Sequence, residues 1–229
     1  TVDLLLKQGH AVRILDALEP PVHRDGIVPD YVPREAEFIR GDVRDRAVWE
    51  KALAGVEAVF HFAAYQDYLP DFSKFFHVNA VGTALLYEIA VERKLPLRKI
   101  VVASSQAVYG EGKYRCGVDG IQYPGLRTEA QMRAKDWEPR CPVCSKPMLS
   151  EVSGEVVVNP HNSYAMSKYG EEMLALNLGQ RYGLPTVAHA SDMTVYKSDS
   201  CGCCGGWVEH MRKYGYTIRV VPTDDLAPV

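Results

Sequence analysis

Tyr164 and Lys168, four residues apart in Tyr164-Ala165-Met166-Ser167-Lys168, are the side chains best suited to chemistry in this chain. At helical spacing both project from one face. A phenol ionises near pH ~10, too high for a base at neutrality, but an ammonium beside it favours the phenolate. Such a pair can take a proton from a substrate hydroxyl and return it, and a serine hydroxyl nearby, here Ser105, would hydrogen-bond the substrate oxygen. In isolation the same spacing also describes a core tyrosine beside a solvated lysine. The elements that would position these residues therefore decide between the two.

Strands and helices alternate along the chain. Thr1 to Gln8 reads as the back half of an amphipathic helix stopped by Gly9, and 11–16 as a strand ending on Asp16. A second strand, 36–40, runs into Gly41-Asp42, followed by a short amphipathic helix over 46–54 with Val48, Trp49 and Leu53 apolar. Residues 58–64 form a continuous apolar run, the pattern of a strand covered on both faces. A helix over 72–93 presents Phe76, Ala80, Thr83, Ala84, Tyr87, Ala90 and Val91, and a buried strand follows over 99–103. A helix over 163–182, with Met166, Tyr169, Met173, Leu174 and Leu176 apolar, is capped by Gly183. This alternation predicts an α/β fold with a doubly wound parallel sheet. Ligands of such sheets sit at the carboxyl ends of the strands, so Asp16, Asp42, the segment after Phe62 and Ser104-Ser105 should meet at one crevice.

Composition agrees with a globular protein. The 229 residues carry 26 Lys+Arg against 29 Asp+Glu, a net charge of −3, so no charge excess draws the chain to nucleic acid or anionic lipid. Apolar residues make up 47%, yet no apolar stretch approaches the ~18 residues of a membrane span. Six cysteines are too few for a disulfide-stapled fold of this length. A cytoplasmic protein is the expectation.

Over residues 1–189 the sequence resembles the extended short-chain dehydrogenase/reductases, specifically the NAD-dependent nucleotide-sugar epimerases and dehydratases. Asp16 matches the acid that ends the second strand and accepts the adenosine ribose hydroxyls, a choice favouring NAD over its 2′-phosphorylated relative. Asp42-Val43 matches the pair flanking the adenine, and Phe62-Ala63-Ala64 the small-residue segment beside the cofactor. Asn79 matches a helix asparagine of the same active site, and Ser104-Ser105 lies in the family's serine strand. The resemblance makes Tyr164 the acid/base, Ser105 its hydrogen-bond partner, and Lys168 the contact to the nicotinamide ribose that tunes the tyrosine. It implies NAD as cofactor, a nucleotide-sugar substrate, and a homodimer through the helices at 72–93 and 163–182. Epimerisation, dehydration and decarboxylation all stay open, as does a non-catalytic dinucleotide-binding module.

Three departures from the family pattern accompany the match. No Gly-x-x-Gly-x-x-Gly occurs, so the chain reads as a fragment whose missing piece precedes Thr1 and which binds NAD poorly. A segment of about 113–157 reads as an insertion. It holds Cys116 and Cys141-Pro142-Val143-Cys144, resembling a structural zinc ribbon with three thiols and either Asp119 or His161 as a fourth ligand. From 191 to 229 the chain resembles the start of a small cysteine-rich bacterial domain associated with copper, with Cys201, Cys203 and Cys204 as candidate copper or redox thiols. Two domains, 1–190 and 191–229, are thus expected, joined near residue 190, and function through the second is the alternative reading.

Overall fold

The computed structural model describes residues 1–153, 157–187, 192–197 and 217–222. Cys201, Cys203 and Cys204 and the junction near 190 lie outside the described residues.

An opening helix α1 (Val2–Lys7) ends where Gly9, at φ 83°, lets the His10 amide reach back to the Leu5 carbonyl. Strand β1 (Arg13–Asp16) pairs in parallel with β2 (Glu37–Arg40), Asp16 opposite Arg40. Helix α2 (Arg46–Leu53) starts at Asp45, whose carboxylate accepts from the Ala47 amide. A second parallel sheet has the order β3-β4-β8, with β3 (Ala58–His61), β4 (Lys99–Val102) and β8 (Thr186–Val187). Between β3 and β4 the chain is helical from 72 to 92 without a break: α3 (Phe72–Phe75), a wider π-helical segment over Phe76–Val81, and α4 (Gly82–Glu92). After β4 comes a short 3₁₀ turn at Gln106–Tyr109.

A small lobe follows that turn. It is an antiparallel sheet of order β6-β5-β7, with β5 (Lys113–Cys116), β6 (Gly120–Gln122) and β7 (Met148–Glu151), plus a short helix α5 (Glu129–Arg133). The long helix α6 (Ser163–Tyr182) then leads back to β8. Strands β9 (Asp192–Lys197) and β10 (Thr217–Pro222) pair in parallel in a sheet of their own. The architecture is α/β with parallel sheets, as the alternation predicts.

One core unites the first two parallel sheets. Trp49 and Leu53 of α2, Leu86, Tyr87, Ile89 and Ala90 of α4, Ile100 and Val102 of β4, and Ala175 of α6 are all buried in it, and Leu15 of β1 packs against the same cluster as Val59 of β3. The long helix corrects the expectation drawn from its apolar residues. Met166 and Met173 are 46% and 42% exposed, whereas Ala165, Ser167, Lys168, Glu171, Ala175 and Gly179 face inward. Small residues on that face let α6 lie close to its neighbours: a Cβ on Gly179 would come within 2.3 Å of Thr186 Oγ1. The helix over 72–92 likewise buries Phe75, Asn79, Thr83 and Tyr87 while Phe76 is 39% exposed, so its inner stripe starts one residue earlier than the apolar pattern predicts. Among the described residues no helix is long and apolar enough to cross a membrane.

Candidate active site and a cysteine cluster

The loops leaving the strands' carboxyl ends meet through side chains. Parallel pairing sets Gly41 beside Asp16, whose carbonyl accepts from the Gly41 amide at 3.0 Å, and sets Ala103 beside His61 in the same way at 3.2 Å. Glu19, just after β1, is held by Arg44 at 3.3 Å and by Lys74 at 3.5 Å, and Lys74 lies over the Tyr65 ring at 4.3 Å. The segments after β1, β2 and β3 therefore face one another.

Asp16 lines a concavity with Leu18, His23 and Tyr31. Its Oδ1 accepts from the Leu18 amide at 2.7 Å and lies 4.0 Å from His23 Nε2; its side chain is 45% exposed, and no described residue partners Oδ2. Asp42 is instead engaged by Arg44, whose guanidinium holds the carboxyl below its ordinary range. Val43 is buried, its carbonyl accepting from Trp49 Nε1 at 2.8 Å, and its side chain leaves room at Gly82 for no Cβ. Of the small-residue segment, Phe62 is 51% exposed and stacks edge-on against Phe60, Ala63 packs on the core and Ala64 is exposed.

A buried polar network joins the π-helical segment to α6. Asn79 is wholly buried: its Oδ1 accepts from the Tyr65 amide at 2.7 Å, and its Nδ2 donates to the Tyr65 carbonyl at 3.1 Å and to Ser167 Oγ at 2.9 Å. Ser167 in turn donates to the Tyr164 carbonyl at 2.8 Å. Thr83 Oγ1 donates to the Asn79 carbonyl at 2.7 Å, so its other contact, His61 Nε2 at 2.8 Å, must be a donor, which assigns the proton of a neutral His61 to Nε2. Burial first, then the charge of Lys168, pushes His61 down to about 4.

Lys168 is not the solvated lysine of the bland alternative. It is 2% exposed, and its Nζ meets Glu171 Oε2 at 2.5 Å, with Glu171 wholly buried. Burial pushes the Glu171 carboxyl up to about 7 against the opposing pull of Lys168, and Glu171 Oε1 has no hydrogen-bond partner among the described residues. Tyr164 stands half-buried in the first turn of α6, which Asn162 caps by accepting from the Ala165 amide at 2.8 Å, and no described residue hydrogen-bonds its hydroxyl. Ser105 Oγ accepts from the Ala107 amide at 3.2 Å, and Ser104 Oγ donates to Glu172 Oε2 at 2.5 Å. The structure thus packs the serine-bearing turn against α6 without a direct Ser105–Tyr164 or Tyr164–Lys168 hydrogen bond. The residues that sequence reasoning missed are His61, Glu171 and Glu172. All three are ionisable groups whose partners are distant in sequence or on the inner face of a helix, where local pattern predicts none.

The thiols of the lobe form a second cluster. The ligand atoms of Cys116, Asp119, Cys141 and Cys144 all lie within 4.8 Å of one another, and all three thiols are free. Of the two fourth ligands considered, Asp119 is there. His161 is elsewhere, against Gly110, with its Nε2 buried and unpartnered among the described residues.

The sequence model described as NAD dependent epimerase/dehydratase family matches residues 1–128. The chain is 30% identical over 164 residues to the dTDP-L-rhamnose 4-epimerase of Burkholderia thailandensis, covering 69% of this chain and 44% of that one. It is 25% identical over 182 residues to a dTDP-glucose 4,6-dehydratase of Streptomyces niveus, covering 78% and 43%. Among solved structures, the UDP-glucose 4-epimerase of Thermus thermophilus in complex with NAD is 25% identical with a TM-score of 0.55, covering 85% of this chain and 50% of that one. The chain spans about half the length of these relatives. With the family match extending over more than half of its residues, the chain belongs to the NAD dependent epimerase/dehydratase family.

Proposed function

We propose that this chain is the dinucleotide-binding part of a cytoplasmic NAD-dependent epimerase or dehydratase acting on a nucleotide-activated sugar. The observation that carries the reading is the joint placement of Tyr164, its hydroxyl without a partner among the described residues, and Lys168 on the first turns of a helix packed against the Ser105 turn. The relatives named as epimerases and dehydratases of dTDP- and UDP-sugars support the substrate class.

The residues at the adenosine end fit such a cofactor. Asp16 offers a half-exposed carboxylate in a concavity at a strand's carboxyl end, with Oδ2 available to a ribose hydroxyl. Asp42, Val43, Phe62, Ala63 and Ala64 border the same ends of the strands, and Asn79 holds the Tyr65 backbone behind them. When bound, the nicotinamide supplies the chemistry of accepting and returning a hydride. The chain's own residues supply the rest. Tyr164 takes the proton of the sugar hydroxyl and returns it, Ser105 hydrogen-bonds the same oxygen, and Ser104 is held by Glu172. Lys168, one turn along the same helix, is the cation of the site. To reach a ribose, Lys168 exchanges its contact with Glu171.

The test is turnover by the full-length protein of a panel of UDP- and dTDP-hexoses with NAD, products being resolved by chromatography. Inversion at a sugar carbon or formation of a keto-deoxy sugar is expected. A protein that binds NAD yet converts no nucleotide sugar contradicts the proposal.

A further inference from the structure

We infer that Cys116, Asp119, Cys141 and Cys144 form a structural zinc site, with three sulfurs and one carboxylate oxygen, that staples the 113–151 lobe. The four donor atoms lie close enough together to share one ion. A zinc ion bound at about 2.3 Å to sulfur and about 2.0 Å to oxygen spaces its sulfurs about 3.8 Å apart, and sulfur from oxygen about 3.5 Å. Cys116 and Cys144 sulfurs lie 3.5 Å apart, Asp119 Oδ2 is 3.4 Å from the Cys116 sulfur and 3.2 Å from that of Cys141, and every pair is within 4.8 Å. A disulfide needs sulfurs about 2.05 Å apart, so none of these is one.

The backbone is built for the same purpose. Cys116 and Asp119 sit on one tight turn between β5 and β6, Cys141 and Cys144 on another, so two turns of identical spacing face each other. In the first, the Val118 amide donates to the Cys116 sulfur at 3.4 Å. In the second, the Cys141 amide donates to the Lys146 carbonyl at 2.9 Å and the Ser145 amide to the Cys141 carbonyl at 2.8 Å, with Ser145 at φ 58°. An amide aimed at sulfur offsets part of the net negative charge that three thiolates and a carboxylate leave on a divalent ion.

The size of the lobe's core points the same way. Its own buried cluster is Cys116, Cys141 and Met148, with Tyr114 and Cys144 partly buried against it. So small an apolar core does not hold three short strands by burial alone, and a metal supplies the missing stabilisation. The donor set selects zinc over magnesium or calcium, which prefer oxygen, and four protein ligands leave no open position for catalysis. The lobe also has a job near the active site. Its two ends are tied together by the Lys113 amide donating to Ser153 Oγ at 2.8 Å. Just beyond, the Asn159 amide donates to the Val108 carbonyl at 2.8 Å, fixing the approach to Tyr164 against the Ser105 turn.

Metal analysis of the full-length protein, purified under reducing conditions and dialysed against a weak chelator, is expected to find about one zinc per chain. Replacing it with Co(II) should give the strong visible bands of a tetrahedral site together with sulfur-to-cobalt charge transfer. Cys144→Ser should lose the metal, and Asp119→Cys should keep it with increased charge transfer. The Asp119→Cys arm reads out the site even where Cys144→Ser fails to fold. Protein that is folded, holds no zinc, takes up no Co(II), and exposes all three thiols equally to a thiol reagent with and without added zinc overturns the inference, as does a native Cys116–Cys144 disulfide.

Discussion

Lys168 and Glu171 form an ion pair sealed inside the protein, Nζ to Oε2 at 2.5 Å, with the two side chains 2% and 0% exposed. Three residues apart on α6, they turn a charged pair toward the core at the point where a helix would ordinarily present alanine or leucine. Removing one partner of such a pair leaves the other charged and dry, which costs about 3–5 kcal/mol. Glu171→Leu should therefore destabilise the protein by an amount in that range, read from the shift of the urea midpoint at constant slope, while Glu171→Leu combined with Lys168→Met should recover much of it.

The pH dependence of stability separates Glu171 from His61. Glu171, at about 7 when folded against its usual 4.5, holds more protons folded than unfolded, so its contribution is complete below 4.5 and is lost as the pH rises through 7. His61, at about 4 when folded against its usual 6.5, holds fewer protons folded, so its contribution is present above 6.5 and is lost as the pH falls through 4. Between 4.5 and 6.5 the two slopes oppose each other. Glu171→Gln should uncover a stability that climbs with pH across that window, and His61→Asn one that falls, measured as thermal midpoints in a pH series.

Asn79→Ala should leave the Tyr65 amide and carbonyl unpaired in a buried setting and cut the link to Ser167. At about 1–3 kcal/mol for each buried group left unsatisfied, a loss of at least ~2 kcal/mol is expected, seen as a lower denaturation midpoint.

Gly110 carries φ 61° and ψ −135°, a backbone region close to glycine-only, and a Cβ there would lie 2.3 Å from the Asn159 carbonyl oxygen and 2.7 Å from His161. Gly110→Ala should cost about 1–3 kcal/mol in backbone strain plus the displacement of the 159–161 segment, and hydrogen exchange should quicken at the Asn159 amide, which Val108 otherwise protects.

Much of this architecture is legible along the chain. The helix over 163–182 falls where its Gly183 stop, at φ 64°, places it, and the strand at 99–102 where an apolar run does, because both signals are local. The π-helical segment is not legible, since its wider turn is held by the long-range bond from Asn79 to Ser167. The same reason hides the true inner face of α6. Met166 and Met173 look like core residues and Lys168 and Glu171 like surface ones, but the network behind Asn79 and His61 reverses them. Tyr164, Lys168 and Ser105 stand out by type and spacing, whereas the choice of Asp119 over His161 beside the thiols required the fold of the lobe.

The most direct test is the turnover number of Tyr164→Phe in the full-length protein, with denaturation midpoints measured alongside. With the phenol hydroxyl unpartnered among the described residues, its removal should leave stability unchanged while kcat falls by about 10²–10⁴-fold. A variant as active on nucleotide sugars as the wild type would contradict the assignment of proton transfer to Tyr164.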